Sequence, residues 1–147
     1  MDLQHIDGPV ILDIPSDPAC LFLVRGFVER LAGRMEFARE EVERMVLAVD
    51  EACTNVIRHA YKSRSGERLE LRFEVTAERL EITIRDFGIP VDPKSFETRD
   101  LEEVRPGGLG LHFMKIAMDI VSYETPPEGG TLLRMIKYRN RKEAIAQ

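Results

Sequence analysis

Tryptophan is absent from this chain of 147 residues, and that absence excludes nothing about function. The other scarcities exclude more. Cysteine occurs twice, at Cys20 and Cys53, each within an apolar helical pattern and without metal-ligand spacing or the density of a disulfide framework, which points to a cytoplasmic protein. Positive charge is outweighed, 21 Lys and Arg against 26 Asp and Glu for a formal net charge of -5, so there is no electrostatic case for direct binding to a nucleic-acid backbone. No apolar run approaches the ~20 residues of a membrane span, and Met1-Asp2-Leu3-Gln4-His5 has neither the basic nor the apolar region of a signal peptide. Neither a membrane nor export is expected. The phosphate loop Gly-x-x-x-x-Gly-Lys-Ser/Thr and the Rossmann glycine fingerprint are also missing, as are internal repeats and low-complexity tracts.

What is present suits one core. At 44% hydrophobic the chain is long enough for a single domain over 1–147 and too short for two. Pro9 to Ile14 reads as a strand ended by Pro15, after which Ser16 can cap a helix with Asp17 and Pro18 in its first turn. Leu21, Val24, Val28 and Leu31 recur at helical spacing, and Gly33 is a plausible stop. A second helix is expected from about Glu36 to Tyr61, with Val42, Met45, Val46, Val49, Cys53, Val56, Ile57 and Ala60 as its core stripe. The period then changes to two: Leu69, Leu71, Phe73 and Val75, then Leu80, Ile82 and Ile84, read as a hairpin with one buried face. A lid is expected over about 89–107, a helix from about Gly108 to Ile120, a short strand near Ser122, a last strand from Thr131 to Tyr138, and a frayed tail over about 140–147. The expected fold is an α/β two-layer sandwich, a mixed β-sheet covered on one face by helices.

Three short stretches describe a nucleotide site. Glu51 and Asn55 stand one turn apart on a helix face distinct from the core stripe. The amide oxygen of Asn55 is a hard, neutral ligand suited to Mg²⁺, which takes few protein ligands and keeps phosphates and waters. Asp86, at a strand end, can accept a hydrogen bond from an exocyclic amine, and Gly88 would let backbone approach a flat base. Gly107, Gly108 and Gly110 open a helix, where backbone amides attract phosphate.

Glu51-Ala52-Cys53-Thr54-Asn55, Asp86-Phe87-Gly88-Ile89-Pro90, Gly108-Leu109-Gly110-Leu111 and Gly130-Thr131 occur in the order of the ATP-site boxes of the gyrase, heat-shock chaperone, histidine kinase and MutL (GHKL) ATPases, whose architecture is the Bergerat fold. Within that superfamily the chain resembles the RsbW-type anti-sigma-factor serine kinases, along nearly its whole length. The resemblance implies that Asn55 binds Mg²⁺, that Asp86 reads the adenine amine with Thr131 supporting it, that Gly88, Gly108 and Gly110 shape the pocket, and that Glu51 is the catalytic base. It also implies a serine/threonine kinase that phosphorylates an anti-anti-sigma (STAS) antagonist, sequesters a sigma factor and forms a homodimer.

Blander readings stand beside these. Glu51 and Asn55 could be a solvated helix pair, and Asp86 with Gly88 a strand-ending turn. Arg58 could reach a phosphate or be an exposed helical Arg, and Arg105 could touch the terminal phosphate, a partner, or only solvent. The alternative function is a non-catalytic nucleotide-binding interaction module of the same fold. A histidine-kinase catalytic domain would need a phosphoacceptor-histidine helix pair, for which the short leader leaves no room.

Overall fold

Alternation of apolar and charged residues along β2 (Arg68–Val75) and β3 (Arg79–Asp86) makes the centre of the sheet in this computed structural model, which describes residues 3–64, 66–89 and 108–139. Leu69, Leu71, Phe73, Val75, Leu80, Ile82 and Ile84 are all buried. They face the helices as one apolar surface, because successive strand side chains point to opposite sides. On the open face charge predominates, and its buried carboxylate is neutralised: Glu81 lies 3.2 Å from Arg79 and 3.1 Å from Arg134.

The sheet has the order β1-β2-β3-β5-β4, with β1 at Val10–Pro15, β4 at Ile120–Glu124 and β5 at Thr131–Tyr138. Its two-layer α/β architecture is the expected one; its strand directions are not mixed between neighbours. All four pairings are antiparallel. The reason is a count of reversals. Two helices, α1 (Leu21–Arg34) and α2 (Arg39–Asn55), lie between β1 and β2, so the chain returns antiparallel. A crossover through α3 (Gly108–Ala117) does make β4 run in the direction of β3, but β5 inserts between them and pairs antiparallel with both.

The helices bury the faces their spacing marks. Val24 and Val28 of α1 and Met45, Val49 and Cys53 of α2 are almost wholly buried, and Phe27 meets Phe73 of the sheet with ring centroids 4.7 Å apart. Val46 and Val56, at the edge of the expected stripe, are partly buried. Cys53 is a packed core residue whose thiol burial pushes up to about 12, so it is inert at neutral pH.

The punctuation differs from the sequence reading in four places. Asp17, not Ser16, is the cap: its carboxylate accepts from the Ala19 N–H at 2.9 Å with Pro18 following, and a single 3₁₀ turn (Pro18–Cys20) precedes α1. Ser16 is buried instead, its hydroxyl donating to the Arg64 carbonyl and accepting from the Glu67 N–H, which ties the end of β1 to the loop before β2. At the end of α1 the left-handed residue is Glu36, with φ 62°, rather than Gly33. The fourth difference lies at the end of α2, which begins at Arg39 with the Glu41 carboxylate accepting from the Ala38 N–H, and runs as α-helix only to Asn55. Val56–Ala60 is a π turn, closed by the Tyr61 N–H donating to the Val56 carbonyl at 3.1 Å.

The expected lid beyond Ile89 and the expected tail at 140–147 lie outside the described residues. Among the described residues no helix is long and apolar enough to cross a membrane.

Candidate functional site

Where α2 passes over the ends of β3 and β5, a cleft opens that is lined by Ala52, Asn55, Ile84, Asp86, Tyr123 and Thr131 among others. Its enclosed part is narrow, about 20 Å³, room for roughly one water, and it opens outward at its mouth. Most of the lining is apolar. Its polar groups converge from different elements, Asn55 from the end of α2 and Asp86 and Thr131 from paired positions of β3 and β5.

Asn55 is buried, and its Oδ1 has no hydrogen-bond partner among the described residues. A buried, unsatisfied amide oxygen costs about 1–3 kcal/mol, so such an atom signals a partner that the chain itself does not supply. The oxygen is the donor type that Mg²⁺ prefers, and one protein ligand suffices where phosphates and waters complete the shell. Among the described residues no three His, Cys, Asp or Glu side chains converge on a common point. A single neutral amide oxygen of this kind fits a cation that arrives with phosphates.

Asp86 is nearly inaccessible, and burial pushes its carboxyl above the usual carboxylate range against the pull of two backbone N–H donors, from Gly88 and Thr131, and of the Arg85 charge. The Gly88 N–H donates to Oδ1 at 3.1 Å. This arrangement fixes the carboxylate at the floor of the cleft with acceptor capacity to spare.

Gly88 has a structural reason other than the one its sequence suggested. A Cβ there would collide with the Ala60 carbonyl and lie 2.9 Å from the Tyr61 ring, so glycine lets the Asp86–Ile89 turn dock on the π turn rather than on a ligand. The Ile89 N–H then donates to the Ala60 carbonyl at 3.0 Å. Tyr61, which sequence reasoning passed over, completes the junction. Its buried hydroxyl accepts from the Phe87 N–H at 2.7 Å and donates to the Arg68 carbonyl at 2.6 Å. The available signal was a tyrosine ending a helical apolar stripe, since a buried phenol must find a partner.

Glu51 and Asn55 meet α3 at Gly110. A Cβ on Gly110 would lie 2.7 Å from Glu51 Cγ, 2.8 Å from its Oε1 and 3.1 Å from Asn55 Nδ2. The helix that Gly108 opens therefore starts beside the candidate metal ligand, which brings helix N-terminal amides to where phosphates would lie. Glu51 is half-buried there. Arg58 is not brought in: it is exposed on the π turn and does not line the cleft. Arg105 lies outside the described residues.

Comparison with known proteins gives the family and the fold. Residues 14–137 match the model of the histidine kinase-like ATPase domain. The chain is 35% identical over 141 residues to the serine-protein kinase RsbW of Bacillus pumilus, with 89% of this chain and 86% of that protein covered. It is 31% identical over 137 residues to the protein of the same name from Bacillus subtilis, with 88% and 84% covered. Among solved structures, the histidine kinase domain of the blue-light activated histidine kinase from Erythrobacter litoralis EL346 superposes with a TM-score of 0.57 at 19% identity. That match covers 90% of this chain and 64% of that one, and at such low identity it speaks for the fold.

Proposed function

Because this chain belongs to the histidine kinase-like ATPase domain family, in its RsbW-type serine-kinase branch, we propose that it is a partner-switching anti-sigma factor whose Glu51, Asn55 and Asp86 form the working centre. The chain is an ATP-using protein serine/threonine kinase. Its acceptor is a small STAS-type anti-anti-sigma protein, and the partner it releases or holds in response is a sigma factor. It acts in the cytoplasm, as a homodimer, without touching nucleic acid itself.

The observation that carries the site is the unsatisfied Asn55 oxygen in the same cleft as the buried Asp86 carboxylate. In this reading Asp86 accepts from the adenine amine, while Thr131 supports it through the N–H that reaches the same carboxylate. Asn55 directs its free oxygen at magnesium. Magnesium, when bound, supplies neutralisation of the phosphate charge that grows in phosphoryl transfer. Gly110 keeps the space beside Glu51 clear, and Glu51 takes the proton of the acceptor hydroxyl as general base. Gly88 holds the base-reading turn against the π turn, and Gly108 begins the phosphate-facing helix. Arg105 is proposed as a phosphate contact made when nucleotide and partner are both present; Arg58, exposed away from the cleft, is not.

The test is transfer of γ-phosphate to a captured STAS-type protein, run beside ATP titrations. A general base contributes on the order of 10²–10⁴-fold to rate, so Glu51→Ala should bind ATP and partners and lose transfer by that factor. Full transfer by Glu51→Ala would remove the base from this account. Nucleotide binding with no transfer by the unaltered protein to any captured partner would leave a non-catalytic binding module.

A further inference from the structure

Asp86 is braced by the residue before it. Alternation along β3 sends Arg85 to the open face of the sheet while Asp86 points to the helices. The Arg85 side chain nevertheless curls around the strand end. Its Nη1 donates to the Asp86 carbonyl oxygen at 2.6 Å, and its guanidinium carbon sits 4.6 Å from the centre of the Phe87 ring. The in-plane N–H and the flat face are thus both used, a combination for which guanidinium is suited and an ammonium is not.

The neighbouring strand is shaped to allow this. Gly130, with φ 72°, stands where a Cβ would lie 2.7 Å from Arg85 Nη1 and would collide with the Asp86 carbonyl. From the helix side the same turn is held by the Tyr61 hydroxyl on the Phe87 N–H and by the Ala60 carbonyl on the Ile89 N–H. Asp86-Phe87-Gly88 is therefore gripped from both faces of the sheet. Phe87 has no core role to explain it, since 58% of its surface is exposed.

We propose that Arg85 is a positioning residue for base recognition: by holding the Asp86 carbonyl and the Phe87 ring it sets the angle at which the Asp86 carboxylate meets an exocyclic amine, and so sharpens the choice of adenine over purines that lack that amine. This rests on the assignment of Asp86 to the base. Arg85 touches neither nucleotide nor acceptor and acts through Asp86.

The experiment is equilibrium titration of ATP and of inosine triphosphate, whose base has a carbonyl in place of the amine. It compares the unaltered protein with Arg85→Met, Arg85→Lys, Phe87→Leu and Asp86→Asn, with a melting curve for each. Arg85→Met should lower the preference for ATP over inosine triphosphate by about 10-fold, the scale of one charge-assisted hydrogen bond. Arg85→Lys should fall between, and Phe87→Leu should move the ratio in the same direction by less. A merely structural role would weaken both nucleotides together. Equal weakening, or no change, in Arg85→Met while the unaltered protein discriminates through Asp86 would overturn the brace alone. Absence of discrimination in the unaltered protein, with Asp86→Asn no different, would overturn the base assignment and the brace with it.

Discussion

Asp86 illustrates at the scale of one residue how a binding group can oppose folding. Burial raises its carboxyl above the usual 3.8, so between that value and its folded one the native protein carries more protons than the unfolded chain. Its contribution to stability is therefore greatest below the window and falls as pH rises through it. Asp86→Asn removes the titrating group and keeps an oxygen for the Gly88 and Thr131 N–H donors. The variant should gain stability relative to the unaltered protein as pH rises from below 3.8 towards 7, and should bind ATP more weakly because an amide can present a donor to the adenine amine. Urea midpoints of both proteins across that range, with ATP titrations at pH 7, check the pair. A stability difference that does not change with pH would show that the carboxyl carries no burial penalty.

At the scale of elements, two glycines that look alike in sequence separate two kinds of closeness. Gly88 faces the Ala60 carbonyl, a backbone atom that cannot yield, whereas Gly110 faces the Glu51 side chain, whose outer atoms can swing away. Gly88→Ala should cost about 1–3 kcal/mol by forcing the turn off the π turn. Gly110→Ala should leave stability within about 1 kcal/mol, helped by alanine's helix propensity, while displacing Glu51 and lowering phosphate transfer by at least about 10-fold. Denaturant melts and the transfer assay distinguish the two, and a Gly110→Ala enzyme of full activity would show that Glu51 need not stay where it is.

The helices and the central hairpin were legible because periods of 3.6 and 2 are written in the apolar residues themselves, as in Val49-Cys53-Val56 and Leu69-Leu71-Phe73. The cleft was legible in part, through Asn55, Asp86 and Thr131. The π turn was not, since one residue added to a helical turn leaves the apolar stripe unbroken. The Arg85 brace and the Tyr61 junction were hidden for a different reason: both bind main-chain oxygen or nitrogen, and main chain has no letter. Ser16 and Asp17 were both capable of capping, and the loop that packs beside them decided between them.

For the whole molecule, the cleft stores a deficit that ligand can remove. A ligand that binds only the folded state stabilises it by about 2.7 kcal/mol at a hundredfold excess over Kd, worth several degrees of melting temperature in a chain this size. Mg-ATP should produce that rise and ATP with chelator less of it. Asn55→Ala should lose the difference between the two conditions while keeping unliganded stability within about 1 kcal/mol, because the oxygen it removes is already unsatisfied. Scanning calorimetry with and without magnesium is the measurement. A magnesium-dependent rise that survives in Asn55→Ala would move the cation to other ligands.

The position of β5 between β3 and β4 also places the site in time. A ribosome delivers β4 before the strand that must lie between it and the rest of the sheet, so β4 has no neighbour to pair with when it emerges. Asp86 likewise waits for Thr131, its partner in register, which arrives with the first residue of β5. A nascent chain can form the β1-β2-β3 meander and its two helices early, yet it has no closed cleft to fill. The floor of the cleft, where Asp86 lies beside Thr131, is thus completed by the last strand of the sheet, so the candidate site depends on the insertion of β5.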